Sequence, residues 1–144
     1  MVAADGFTFR PDRPADAIIV NAGVTRLSPA WLDALVMENG GLLVPLTKAE
    51  NWGGFLLITR QAGGTRHYPA RFVHHVGIIP CVGGRDPAAE ARLEEALAKS
   101  PLTAVRSLRR APEEPDWSCW LSGDGWWLSV APVPESNVAG LRDA

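Results

Sequence analysis

Residues 16–23 read Asp-Ala-Ile-Ile-Val-Asn-Ala-Gly, and this stretch decides the fold. Ile18, Ile19 and Val20 are consecutive, apolar and β-branched, with no polar residue alternating between them. That pattern belongs to a strand covered on both faces, as parallel strands sandwiched by helices are. Pro11 and Pro14 precede the run, and Asn21-Ala22-Gly23 ends it with small residues. Further along, Ser28-Pro29 has the form of an N-cap followed by proline in the first helical turn. Trp31, Leu32, Leu35 and Val36 recur at helical spacing on one face. Asn39-Gly40-Gly41 suits a left-handed C-cap. Leu42-Leu43-Val44 is a second apolar strand, stopped by Pro45. Strand, helix and strand in this order make a βαβ unit, with a parallel pair and a right-handed crossover expected.

The pattern changes after residue 50. Residues 55–60 and 72–79 read as strands, with Ala62-Gly63-Gly64-Thr65 as a turn between them, so an antiparallel hairpin is expected. Asp86-Pro87 opens the clearest helix, with Leu93 and Leu97 on one face and a Glu95–Lys99 i,i+4 pair. Ser100-Pro101 ends it. Residues 102–108 alternate weakly and read as a strand, and residues 111–116, with two prolines and three acids, as a loop. Residues 117–121 and 126–130 flank Ser122-Gly123-Asp124-Gly125 and read as a β-hairpin, with a frayed tail from Pro132. The expected class is α/β. Its mixed sheet joins a parallel βαβ unit to an antiparallel hairpin, followed by a C-terminal helix and a second hairpin. Residues 1–85 form the main sheet, and residues 86–144 are an extension packing on the same domain.

Composition narrows the classes. The chain has 144 residues, 47% hydrophobic and 21% charged, which suits a globular domain with a core of its own. A formal net charge of -2 gives no electrostatic footprint for nucleic acid. No apolar run approaches the ~20 residues that span a bilayer, so no membrane partner is expected. Cys81 and Cys119 stand far apart and form no CxxC pair, and the N-terminus lacks the pattern of a signal peptide, so a cytoplasmic protein is expected.

One conflict is visible. A strand apolar on both faces belongs inside a sheet, yet residues 1–15, with Pro11, Pro14 and two arginines, are poor material for a neighbour. An exposed hydrophobic strand edge is therefore expected. A homodimer pairing there, or an N-terminal half outside this chain, would cover it.

Four segments taken together resemble a known family. They are Ala4-Asp5-Gly6, residues 15–23, Pro29-Ala30-Trp31-Leu32-Asp33-Ala34-Leu35, and Gly40-Gly41-Leu42-Leu43-Val44-Pro45-Leu46. Their order is similar to the second half of protein-L-isoaspartate O-methyltransferases, which carry a Gly-Asp-Gly turn, an Asp-Ala-Ile strand, a short helix and a Gly-Gly-x-Leu-x-x-Pro run. The likeness covers residues 3–47 and, more loosely, 72–80, while residues 86–144 resemble nothing specific. It implies a partial Rossmann-like methyltransferase fold, a transfer of methyl from S-adenosylmethionine to a protein or peptide carboxylate, and a cofactor half that lies elsewhere. The family's glycine-rich motif and the acid after its second strand have no counterpart here, and its first turn glycine is Ala4. The chain alone is thus expected to be inactive, complete only with a complementary N-terminal chain.

The resemblance implies roles for single residues. Asp5 and Gly6 would face the adenine of the cofactor, with the carboxylate accepting from the amino group; the residues by themselves equally fit an ordinary Asp-Gly turn. Asn21, Ala22 and Gly23 end the decisive strand at its carboxyl end, where open α/β sheets bind ligands, and would line the same cofactor. Thr25, Pro45, Leu46 and Thr47 share that rim and would contact the peptide substrate, or form simple loops. No catalytic acid or base and no metal site is expected. His74 and His75 are adjacent on a strand and point to opposite faces, one inward and one to solvent. Trp117, Trp120, Trp126 and Trp127 crowd the last hairpin. Trp126 and Trp127 fall on opposite faces, which leaves one ring for an interface. The competing reading is a non-enzymatic α/β module that pairs through its sheet edge or this tryptophan hairpin.

Overall fold

The stretch at 16–23 forms the first strand, β1 (Ala17–Ile19), in a computed structural model that describes residues 2–61 and 66–134. The expected turn at 62–65 and the tail beyond 134 lie outside the described residues. β1 leads through the short helix α1 (Pro29–Asp33) to β2 (Gly41–Thr47), which pairs with it in parallel: Ile18 faces Leu42 and Ile19 faces Leu43. The βαβ unit is therefore present.

The helix is shorter than its apolar spacing suggests. After Asp33 the backbone is drawn into pairing with the lead-in to β1, through Ala15 N to Ala34 O at 2.7 Å and Val36 N to Ala15 O at 2.9 Å. Arg60 Nη1 then donates to the carbonyls of Leu32 and Leu35, at 3.0 and 2.9 Å, satisfying orphan acceptors of the helix end. Asn39 takes a left-handed conformation as expected, at φ 63°, but in the turn before β2 and not as a helix cap.

The rest of the sheet is antiparallel. β3 (Trp52–Thr59) and β4 (His67–Gly77) form the expected hairpin, wider than its apolar runs, with a bulge between Phe55 and Leu56. α2 (Pro87–Lys99) is capped as expected, Asp86 accepting from the amides of Ala88 and Ala89. Residues 102–108 divide into a 3-10 turn (Leu102–Ala104) and the start of β5 (Ser107–Arg110). β6 (Cys119–Ser122) and β7 (Trp126–Ser129) make the last hairpin. The seven strands form one mixed sheet in the order β1-β2-β3-β4-β5-β7-β6.

One face of that sheet carries the core. Leu42, Val44, Leu46, Leu56, Ile58, Tyr68, Leu108 and Leu128 line it, and Trp31, Leu32 and Leu35 of the β1-to-β2 crossover pack on it together with Leu93 and Ala96 of α2. On the other face the two ends differ. Beneath β5 and β7, Ser107, Arg109, Trp127 and Ser129 are buried under residues 111–118 and Ala131. Beneath β1 to β3, Leu43, Phe55 and Leu57 remain half-exposed and Ile19 is 70% exposed.

Three expectations are corrected. β1 is not covered on both faces; it is an edge strand, and its second face is open because both helices lie on the first. Trp126 and Trp127 do point to opposite faces, but both are buried. β7 sits inside the sheet between β5 and β6, so each of its faces finds cover, and Trp127 Nε1 donates to Glu113 O at 3.1 Å. Trp117, outside the strands, is the exposed ring of that group. Finally, His74 and His75 are both exposed, since this end of β4 runs past β5 and pairs only with β3. Among the described residues no helix is long and apolar enough to cross a membrane.

Candidate functional site

The unpaired edge of β1 is the centre of the candidate site. Asp16 and Val20 turn their backbone toward β2, with Gly41 N to Asp16 O at 3.0 Å and Val20 N to Leu43 O at 2.9 Å. Backbone groups alternate along a strand, so Ala17 and Ile19 turn theirs away, and among the described residues nothing pairs with them. A groove of about 490 Å³ borders this edge, with Gly6, Phe7, Trp31, Cys81 and Val82 among the residues that line it.

The Asp5-Gly6 turn is fixed onto that groove. Asp5 Oδ1 accepts from Phe7 N at 3.0 Å, and Asp5 O accepts from Phe9 N at 2.9 Å, so the acid folds its own turn. Gly6 O accepts from Trp31 Nε1 at 2.8 Å, and Phe7 O from the Ser28 hydroxyl at 2.5 Å. Ser28 thus stands at the N-cap position of α1 but spends its hydroxyl on the N-terminal segment. The Phe7 ring lies 4.8 Å from that of Trp31, and the Arg26 guanidinium sits 4.6 Å above it. Asp5 and Gly6 are exposed, and both border the groove beside Ile18, Ile19 and Val20. The structure therefore brings these two predicted residues to the decisive strand.

The carboxyl end of β1 is closed by the chain itself. Gly23 N donates to Ile79 O and Cys81 N to Gly23 O, both at 2.8 Å, so residues 79–81 lie beside Gly23 on the side that β1 leaves free. Any side chain at Gly23 would collide with the Thr47 hydroxyl. Asn21 is exposed and Ala22 half-buried, whereas Gly23 is buried.

Arg85, which no pattern in the sequence singles out, occupies the rim. Its Nη1 donates to Thr47 O at 3.1 Å, to Thr47 Oγ1 at 2.5 Å and to Gly23 O at 3.4 Å. Its Nη2 donates to Lys48 O at 3.2 Å and pairs with Glu90 at 2.6 Å. Thr25 is buried and bonded to the start of α2, accepting from Asp86 N at 2.8 Å. Pro45, Leu46 and Thr47 are buried as well. The four residues assigned to a substrate are thus gathered at one end of the sheet, each enclosed by protein.

A second polar cluster lies at the far end of the sheet, under β5 and β7. Arg109, only 7% exposed, pairs with Glu113 at 3.2 Å, and Glu113 also meets His67. Among the described residues Arg109 Nε has no hydrogen-bond partner; its guanidinium lies 5.1 Å from the Trp127 ring, whose face takes the place of an acceptor. The Ser118 hydroxyl and amide hold Asp116 below the usual carboxylate range. Burial pushes the Cys119 thiol up, and the nearby Asp116 charge adds to it. This cluster fastens the loop 111–118 to the sheet. Among the described residues no group of three side chains is arranged to hold a metal.

No protein-family model matches this sequence, and no curated protein matches it either.

Proposed function

We propose that this chain is the second half of a Rossmann-like, S-adenosylmethionine-dependent methyltransferase of the protein-isoaspartate type, completed by a strand added along β1. The carrying observation is the free edge of β1, whose Ala17 and Ile19 backbone groups stand unpaired beside the groove that Asp5 and Gly6 border. The parallel β1-α1-β2 unit, helices on a single face and a half-exposed second face all agree with a sheet that continues past β1. Bound there, S-adenosylmethionine would supply a methyl group for an already ionised carboxylate and leave as the neutral thioether, so the chain's own residues would contribute positioning more than acid or base.

The residues present fit one end of that cofactor. An apolar slot with an exposed carboxylate suits an adenine ring and its amino group. Among the described residues nothing lining the groove suits the ribose hydroxyls or the methionyl carboxylate: apart from Asp5, its side-chain polar groups are the Trp31 indole N–H, already bonded to Gly6 O, and the weakly polar Cys81 thiol. The fit is therefore incomplete, and the chain alone carries no methyl transfer. S-adenosylmethionine and adenosine should bind equally weakly, near millimolar, shifting the amides of Gly6, Phe7 and Ile19 in a nitrogen-edited spectrum, and Asp5→Ala should remove the shifts. Absence of any shift up to about 10 mM ligand, well beyond a Kd worth ~4 kcal/mol, would overturn this reading.

One observation favours a second reading, a non-enzymatic α/β module that pairs through its sheet edge. Residues 79–81 already occupy the place beside Gly23 where ligands of open α/β sheets bind. A module of this kind would give no nucleoside shifts and would show a concentration-dependent mass in sedimentation.

A further inference from the structure

A separate cleft opens where β4 runs past β5, about 540 Å³ in volume. Leu57, Pro69 and Val105 supply apolar wall, and Thr59, Thr103, Arg71 and Arg106 supply the polar groups. Among the described residues no carboxylate lines it. All of its polar side chains can donate a hydrogen bond, and the two arginines can do nothing else.

The arginines are what distinguish it. Elsewhere this chain engages its guanidinium groups: Arg10, Arg109 and Arg110 with acids, Arg85 with Glu90 and carbonyls, Arg26, Arg60, Arg66 and Arg92 with backbone carbonyls. Among the described residues only Arg13, Arg71 and Arg106 have no side-chain partner, and two of these three border the same cleft. Among the described residues the hydroxyls of Thr59 and Thr103 have no partner either. A chain of net charge -2 does not leave cations unpaired for want of acids.

The geometry points to a binding site for a small amphipathic oxyanion, a carboxylate or phosphate monoester carrying a short apolar chain. Arg71 and Arg106 take the charged head, since guanidinium forks match the oxygens of both groups. Thr59 and Thr103 add neutral donors, and the apolar chain lies over Leu57 and Pro69. The strands that line the cleft, β3 and β4, lie two and three places from β1 in the sheet, about 10–14 Å at the usual strand spacing, so the cleft is distinct from the groove and does not depend on any methyltransferase reading.

The test is a nitrogen-edited NMR titration of the full chain with hexanoate and with hexyl phosphate, and with hexanol and inorganic phosphate as partial ligands. Saturable shifts at Thr59, Arg71, Thr103 and Arg106 are expected for one or both amphipathic anions at millimolar concentration. The tighter of the two identifies the head group. Hexanol and phosphate alone should bind at least about tenfold more weakly, each losing half of the contacts. Arg71→Gln and Arg106→Gln should each weaken binding about tenfold while leaving the circular dichroism unchanged, and Arg13→Gln should have no effect. The proposal is overturned by an absence of saturable shifts, by hexanol binding as well as hexanoate, or by undiminished affinity in the Arg71→Gln, Arg106→Gln double variant.

Discussion

Replacing Arg85 by Met keeps most of the apolar stem and removes the fork that closes the rim at the end of β2. The cost follows from what the fork serves. Thr47 is fully buried, and its hydroxyl has Arg85 as its side-chain partner, so the hydroxyl is left unsatisfied at about 1–3 kcal/mol. Thr47 O loses one donor at the lower end of that range, about 1 kcal/mol, because a carbonyl can be served by others. Gly23 O keeps its bond from Cys81 N, and the partly exposed Lys48 O can turn to water, so neither adds much. The ion pair with Glu90 joins side chains 22% and 30% exposed and contributes about 0–1 kcal/mol. The sum is about 2–5 kcal/mol. Urea unfolding followed by tryptophan fluorescence should show the midpoint falling by about 1–2 M at unchanged slope. Arg85→Lys, which keeps the charge and loses the fork, should fall between. An Arg85→Met chain within about 0.5 kcal/mol of the parent would refute the view that this residue holds the carboxyl end of the sheet shut.

Other perturbations separate the remaining parts of the structure. Ile19→Lys adds a charge to an exposed edge position, so stability should stay within about 0.5 kcal/mol while any concentration-dependent association seen by sedimentation disappears; a large loss of stability would mean Ile19 is packed. Trp31→Phe keeps a ring against Phe7 but loses the bond to Gly6 O, which should cost about 1 kcal/mol and speed amide exchange at Phe9. Unchanged exchange there would show that the Asp5-Gly6 turn is held by something else. Asp116 has a folded-state pKa depressed by the Ser118 hydroxyl and amide. Its stabilising effect on the loop 111–118 is present above the ordinary carboxylate pKa and is lost as pH falls through the depressed value. Carbon NMR titration should place its midpoint below that of an unstructured Asp, and Ser118→Ala should raise it. A midpoint at or above the ordinary value contradicts the contact.

Much of the local structure is legible in residues 16–45, because a β-branched run, a Ser-Pro start and a glycine pair each act within a few neighbours. The cap of α2 at Asp86 is legible for the same reason. Where local signals fail, a distant residue intervenes. α1 stops early because Ala15 pairs with Ala34 and Val36 and because Arg60, just past the end of β3, satisfies its last carbonyls. The burial of both Trp126 and Trp127 follows from β7 lying inside β6, an order that adjacency in sequence does not give. The apolar run of β1 suggests cover on both faces, yet composition cannot say whether that cover comes from this chain. For the site, Asp5 and Gly6 do reach the β1 groove, but Arg85 was invisible because its acceptors at Gly23, Thr47 and Lys48 are mostly carbonyls, which every residue carries.

The open edge of β1 is tested most directly by amide hydrogen exchange on the dilute chain, resolved residue by residue. Val20 and Gly41, bonded across to Leu43 and Asp16, should be strongly protected, and Ala17 and Ile19 should exchange at nearly the rate of an unstructured peptide. Slow exchange at Ala17 and Ile19, equal to that of Val20 and independent of concentration, would mean that the strand already has a neighbour on its free side.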